Sequence, residues 1–332
     1  MRERGSPSGS KPSADLFPAL EPNRHGMLDV AGGHQLYWEE SGNPDGVPVV
    51  FLHGGPGAGT SSNHRRFFDP DAYRIILFDQ RGAGRSTPYG ETQDNTTEHL
   101  IGDIAALKKM LEVSQWLVFG GSWGATLAIA YAERFPEHCL GLVLRGVFLG
   151  RQLELDWFLG GVKKVFPEAW ERFENFLPEG ERSDLLGNYH RRLMSDAPDI
   201  HGPAARAWNG FETACSMLRG GRSPISGNGP TSLALARIEA HYFVNGMFLD
   251  RDLLDGLEAI HHLPCAIVQG RYDMVCPIST AYALHGAWPG SRFMIVDDAG
   301  HSAMEPGIRR ALVAATEAFK AARDFNDLET SP

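Results

Sequence analysis

The stretch Val118–Ala132, VFGGSWGATLAIAYA, constrains the fold more than any other part of the chain. β-formers ("WLVF") precede Ser122 and a nearly unbroken run of helix-formers ("ATLAIAYAERF") follows it, so the serine sits at a strand-to-helix turn. Glycines at 120, 121 and 124 point to a turn too tight for Cβ atoms. Gly120, Ser122 and Gly124 satisfy G-x-S-x-G, the pattern of a nucleophile elbow, where a strained turn lifts a serine hydroxyl above the end of a sheet. The same residues also suit an ordinary strand–helix turn with an incidental serine. The rest of the chain has to decide.

That rest alternates in the same way. "VPVVFLHGGPGAG" and "YRIILFDQRGAGRS" each read as a buried strand entering a glycine-rich loop. Leu100, Ile101, Ile104, Leu107 and Leu111 then recur at helical spacing, and "CLGLVLRGVF" follows the Ser122 unit as a further strand. Strand, loop and helix in alternation predict an α/β fold with a mostly parallel central sheet flanked by helices. "GMLDV" and "HQLYWEESG" suit a hairpin ahead of it. From Arg151 to Gly256 aromatic and charged residues mix at helical spacing and no strand-like run occurs, which predicts an inserted helical cap, interrupted by the loop "RGGRSPISGNGP". Strand logic resumes with "CAIVQGRYD" and "RFMIVDDAGH", and "ALVAATEAFKAA" closes the chain as a helix. The expected organisation is a flexible tail over 1–22, a core of 23–150 and 257–332, and a cap over 151–256.

Composition narrows the function. With 31 basic and 41 acidic residues the net charge is −10, so no basic face is available for phosphates, and neither nucleic acid nor an anionic membrane is an expected partner. Cys139, Cys215, Cys265 and Cys276 are spread without a C-x-x-C pair and read as reduced thiols. No apolar run approaches the roughly 18 residues of a transmembrane helix. The first 22 residues lack the apolar segment of a secretory signal. A cytoplasmic location is the expectation.

A serine hydroxyl needs a base, and the base needs an orienting group. Asp273 falls just past the end of the strand in "VQGRYD", and His301 just past the next in "DDAGH". Ligands collect at the carboxyl ends of strands in open α/β sheets, so Ser122, Asp273 and His301 are expected on one rim. The order Ser…Asp…His is that of the α/β-hydrolases. Ser122 is then the nucleophile, His301 the base and later the acid, and Asp273 the group that fixes the imidazole tautomer. Asp297 and Asp298, on the histidine's own strand end, are rival acids. Donors for the developing oxyanion are expected from the amide of Trp123 and from "HGGPG", with Gly55 preferred to its neighbour Gly54. His53 more readily shapes that loop than acts as a base. Adjacent His261 and His262 are a poor metal site, because neighbouring residues rarely converge on one ion.

"GGSWG" together with "HGGPG", "DQRGAGRS", "ARIEAHYFVN", "GRYDMVCP" and "DDAGHSAMEPGI" resembles the proline iminopeptidases (prolyl aminopeptidases), serine peptidases of the α/β-hydrolase fold. The matching segments run from about residue 25 to 310. The resemblance implies release of N-terminal proline from small peptides through an acyl-enzyme on Ser122, with no metal or organic cofactor. The alternative is an esterase or amide hydrolase of the same fold with no need for a free amine. An aminopeptidase must hold a charged amine beside the scissile bond, which calls for carboxylates in an otherwise apolar pocket. Glu212, sharing a helix face with Trp208, and Glu239, beside Tyr242 and Phe243, are candidates; from spacing alone they could equally be solvated or paired with Arg145, Arg206 or Arg237. The resemblance implies that both glutamates contact the substrate amine. It also implies that Phe148, Phe158 and Phe243 enclose the proline ring, with Arg145 beside them. Phe211, Ala83 and Ala125 depart from the common family pattern, which has tryptophan, cysteine and serine there.

Overall fold

The computed structural model describes residues 15–218 and 231–328. The strands are β1 (Arg24–Val30), β2 (His34–Gly42), β3 (Val47–Leu52), β4 (Tyr73–Phe78), β5 (Trp116–Gly121), β6 (Cys139–Arg145), β7 (Cys265–Gly270) and β8 (Arg292–Val296). Among the described residues they form one sheet in the order β1-β2-β4-β3-β5-β6-β7-β8. The hairpin β1–β2 is antiparallel, as is β2 against β4; every pairing from β4 to β8 is parallel.

The apolar runs read from the sequence are buried on both faces, as a parallel sheet requires. Side chains alternate across the sheet. Val50, Leu52, Ile76 and Phe78 enter one core with α1 (Thr97–Met110) and α2 (Trp123–Arg134). Val49, Phe51, Ile75, Leu77 and Phe119 enter the other, against Ile308, Leu312 and Phe319 of the last helix, α9 (Pro306–Ala322). Each fully buried Leu, Ile or Phe adds roughly 1.5–3 kcal/mol. The helix α1 starts at Thr96, whose side chain accepts the His99 N–H.

Between β6 and β7 the chain runs through α3 (Gln152–Phe158), α4 (Pro167–Asn175), α5 (Leu185–Leu193), α6 (Pro198–Cys215) and α7 (Thr231–Val244), with no strand among the described residues. The expected loop "RGGRSPISGNGP" lies outside the described residues, as do residues 1–14 of the expected tail. The remainder of that tail is corrected by the structure. Leu16, Phe17 and Leu20 pack against the α9-side core. The Phe17 N–H donates to the Arg66 carbonyl, the Arg66 Nε–H donates to the Phe17 carbonyl, and the Arg65 side chain donates to the Leu20 carbonyl. Three apolar anchors and two arginine clamps outweigh the Ser/Pro composition of the segment. One helix, α8 (Ile278–Ala287), lies between β7 and β8. Among the described residues no helix is long and apolar enough to cross a membrane.

Candidate active site

Ser122 follows directly on β5 and directly precedes α2. Its backbone has φ 59° and ψ −127°, a strained conformation for a residue with a Cβ. Two contacts force the turn. A Cβ on Gly120 would lie 2.1 Å from the Gly124 carbonyl oxygen, and one on Gly124 would lie 2.1 Å from that of Leu52. The Ser122 N–H is held by the Arg145 carbonyl at 2.8 Å. The elbow read from the sequence is therefore present, and sterics account for its glycines.

Asp273 and His301 come together past the ends of β7 and β8. His301 Nδ1 lies 2.8 Å from Asp273 Oδ2. Asp273 is saturated: Oδ2 also accepts from Gln269 Nε2 at 3.1 Å, and Oδ1 accepts the amides of Val275 and Cys276 at 3.1 and 2.8 Å. An acceptor so fixed makes Nδ1 the protonated nitrogen and leaves Nε2 with its lone pair, the tautomer a general base needs. The rivals Asp297 and Asp298 are exposed, with Asp297 turned to Arg271.

The third contact is not made. Ser122 shares the cavity wall with Cys276, and His301 Nε2 faces Arg145 Nη1 at 3.3 Å. Arg145 Nη1 also donates to the His301 carbonyl at 3.0 Å. Arg145, expected beside the proline ring, is turned instead onto the imidazole and passes under Gly121, where a Cβ would meet its guanidinium at 2.5 Å. The absence of side chain at Gly121 makes that course possible.

Gly55, at φ 109°, lines a cavity together with Ser122, Phe148, Phe158, Phe243, Glu212 and Glu239. Among the described residues neither the Gly55 nor the Trp123 N–H has a hydrogen-bond acceptor, which leaves both available. At the alternative, Gly54, a Cβ would lie 3.2 Å from the Gly121 carbonyl oxygen and from Ser122 Cβ. His53 is taken up by the loop: Nε2 accepts the Gln80 amide at 3.0 Å, leaving Nδ1 to face the Gly54 carbonyl at 2.9 Å.

The cavity is tight. Its free volume is about 20 Å³, room for little more than one water. Phe158 stands edge-on to Phe243 with centroids 6.2 Å apart, and Phe148 lies 6.3 Å from Phe243.

Three glutamates line this apolar space; Glu154 pairs with Arg151, while Glu212 and Glu239 have no cationic partner among the described residues. The Trp208 indole N–H, on α6, donates to Glu239 Oε2, on α7, at 2.6 Å. Glu212 Oε2 is buried and, among the described residues, has no hydrogen-bond partner. No cation offsets either charge among the described residues. Arg237 is spent on the carbonyls of Leu193 and Ser195. Burial pushes both acids above the usual carboxylate range, Glu239 further because Glu212 is beside it and despite the indole bond.

Sequence reasoning missed Glu154, Leu155, Val275 and Cys276 in the cavity wall. Glu154 is 3% exposed and accepts the amides of Leu149 and Arg151 at 3.1 and 2.9 Å, fastening the segment after Phe148. The S/T/D/N capping pattern was no guide, since Arg151 holds the N-cap position. Cys276 is a short step from Asp273, but a lone thiol carries no signal of its place. The four cysteines are free and buried. His261 bonds the Ala287 carbonyl. Among the described residues no group of three or more metal-ligating side chains is assembled.

The chain is similar to known proteins over most of its length. The family model described as alpha/beta hydrolase fold matches residues 47–307. The chain is 53% identical to proline iminopeptidase of Arabidopsis thaliana over 92% of its own length and 82% of the relative's. It is 50% identical to proline iminopeptidase of Xylella fastidiosa over 92% and 99%. The chain belongs to the proline iminopeptidase family. Within that family's α/β-hydrolase fold, the backbone is also similar to the crystal structure of proline iminopeptidase from Mycobacterium smegmatis. The TM-score is 0.60 at 18% identity, covering 91% of this chain and 100% of that one. A thermophilic esterase from Thermogutta terrifontis matches with a TM-score of 0.58 at 22% identity, over 90% and 98%. These two likenesses concern the fold.

Proposed function

We propose that the chain is a serine aminopeptidase that releases N-terminal proline from small peptides through an acyl-enzyme on Ser122. One observation carries the reading beyond a general hydrolase: two buried carboxylates, without a cationic partner among the described residues, face the cavity that Ser122 opens into. A cavity meant only for an ester's apolar acyl group has no use for them. The setting is a cytoplasmic one, and residues 151–256 act as a lid over the core.

In this reading the protonated imino group of the substrate sits between Glu212 and Glu239, with the ring among Phe148, Phe158 and Phe243. Arg145 yields Nε2, and the Ser122 oxygen attacks the prolyl carbonyl carbon while His301 Nε2 takes its proton. The amides of Gly55 and Trp123 hold the oxyanion. Collapse breaks the C–N bond as His301 returns the proton to the leaving nitrogen. Water, deprotonated by the same imidazole, then attacks the prolyl ester, and free proline leaves with Ser122 restored.

The test compares proline anilide with a simple acyl ester lacking an amine, on the wild type and on Glu212→Ala and Glu239→Ala. The glutamate variants are expected to lose anilide turnover by about two orders of magnitude or more while ester turnover persists. Equal loss on both substrates, or none, sinks the amine site and leaves the esterase or amide-hydrolase alternative.

A further inference from the structure

The loop that carries His301 is fastened to the end of the helix that carries Glu212. His301 and Ser302 both donate their amides to the Ser216 carbonyl, at 3.1 and 3.0 Å. Ser216 caps α6, and its hydroxyl donates back to the Glu212 carbonyl at 2.8 Å. Beside this, Oε1 of Glu305 accepts two amides at once: Gly300 at 2.9 Å and Leu218 at 3.2 Å. Glu305 is 7% exposed, and a Cβ at Gly300 would sit 3.0 Å from that oxygen, so glycine there admits the contact.

We propose that Glu305 is a positioning residue: its carboxylate straps the His301 loop to the Ser216–Leu218 end of the Glu212 helix, so that base and amine site hold one fixed spacing. The inference rests on the proposed roles of His301 and Glu212. The physical need is plain. His301 stands on a loop beyond β8, and its ring is held by Asp273 at Nδ1 and by Arg145 at Nε2, neither of which fixes the loop to α6. The backbone beneath the ring has α6 on one side and the β7 end on the other, where Ala299 accepts the Tyr272 amide. Glu305 closes the α6 side with a charge-assisted bond from each partner, the stronger class of hydrogen bond. A displacement of about 1 Å in a reacting group costs on the order of 100-fold in rate.

The experiment compares Glu305→Gln, which keeps an acceptor oxygen, with Glu305→Asp, which shortens the reach, and Glu305→Ala, which removes it. Three readouts are taken: fluorophosphonate labelling of Ser122, kcat on an amine-free ester, and kcat and KM on proline anilide. Glu305→Gln is expected within about 3-fold of wild type. Glu305→Ala is expected to slow labelling and ester kcat about 10- to 100-fold, and additionally to raise KM for the anilide alone. Should the alanine variant not fold, Glu305→Asp is expected to show the same pattern in weaker form. Labelling, kcat and KM unchanged in Asp and Ala variants, or a Gln variant as impaired as Ala, overturns the strap. A wild type that does not label indicts the serine-hydrolase reading instead. Anilide activity indifferent to Glu212 indicts the amine site.

Discussion

Arg145 Nη1 stands 3.3 Å from His301 Nε2 and 3.0 Å from the carbonyl oxygen of the same residue. One guanidinium thus holds both the backbone and the lone pair of the candidate base, while the Arg145 carbonyl holds the Ser122 amide. The residue bridges nucleophile and base from beneath. Nη1 occupies the direction from which a serine hydroxyl would approach.

Arg145→Met is expected to lower kcat/KM on the amine-free ester about 10- to 100-fold, because the His301 carbonyl loses a charge-assisted donor and the imidazole loses a support. Steady-state kinetics checks this. An undiminished rate would show that the contact serves packing alone.

The carboxylate pair makes binding depend on pH. Burial raises both acids, Glu212 to about 7, so at pH 5.5 the site is largely protonated and poor at holding an ammonium group. KM for proline anilide is expected to fall as pH rises from about 5.5 to about 7.5, and to climb again above the range near 8 where a terminal amine loses its proton. KM for the ester should stay flat over the same range. Parallel curves for both substrates would remove the pair from recognition.

Stability follows the opposite course. A carboxyl whose folded pKa is raised favours the fold below its unfolded value, near 4.3, and progressively withdraws that support as pH climbs through the folded value. Melting temperature of the ligand-free protein should therefore decline from about pH 5 through about pH 7. Glu239→Gln is expected to flatten that decline. Thermal melts across this range decide it.

Trp208→Phe keeps the ring and removes the indole donor to Glu239. Hydrogen bonds to charged groups contribute about 1.5–3 kcal/mol, so KM for the anilide should rise about 10-fold or more. Because the lost bond favours the ionised acid, the descent of KM with pH should move to higher pH. A pH–KM series on the variant settles the sign.

Phe158 is 5% exposed and abuts Phe211 and Phe243. Phe158→Ala is expected to cost about 3–5 kcal/mol of stability by calorimetry or denaturant titration. It should also enlarge a cavity of only about 20 Å³ and raise turnover of bulkier N-terminal residues relative to proline. A preserved preference would place selectivity elsewhere.

Much of this was legible in the sequence because it is local. The Gly120–Gly124 clash lies within the five-residue turn itself, and buried strands such as Val49–Phe51 announce themselves by unbroken hydrophobicity, whereas the Leu52 carbonyl that excludes a Cβ at Gly124 comes from another strand. Asp273 and His301 were found because strand ends define a rim. Interactions between helices distant in sequence were not legible. Trp208 looked like a neighbour of Glu212 on one helix face, yet its N–H crosses to Glu239 on another helix. Arg145 could pair with an acid, a ring or an imidazole, and only packing selects the imidazole. Residues 15–22 read as tail because composition averages over Leu16, Phe17 and Leu20, whose burial depends on Arg65 and Arg66 far along the chain.

At Ser122 the chain maintains, in every folded molecule, a dihedral pair that glycine would occupy without penalty. Thermostability and turnover therefore pull against each other at that position: a glycine there would make a sturdier but inert protein, about 1–3 kcal/mol more resistant to unfolding. Screens for hardier variants that ignore activity would drift toward losing the hydroxyl.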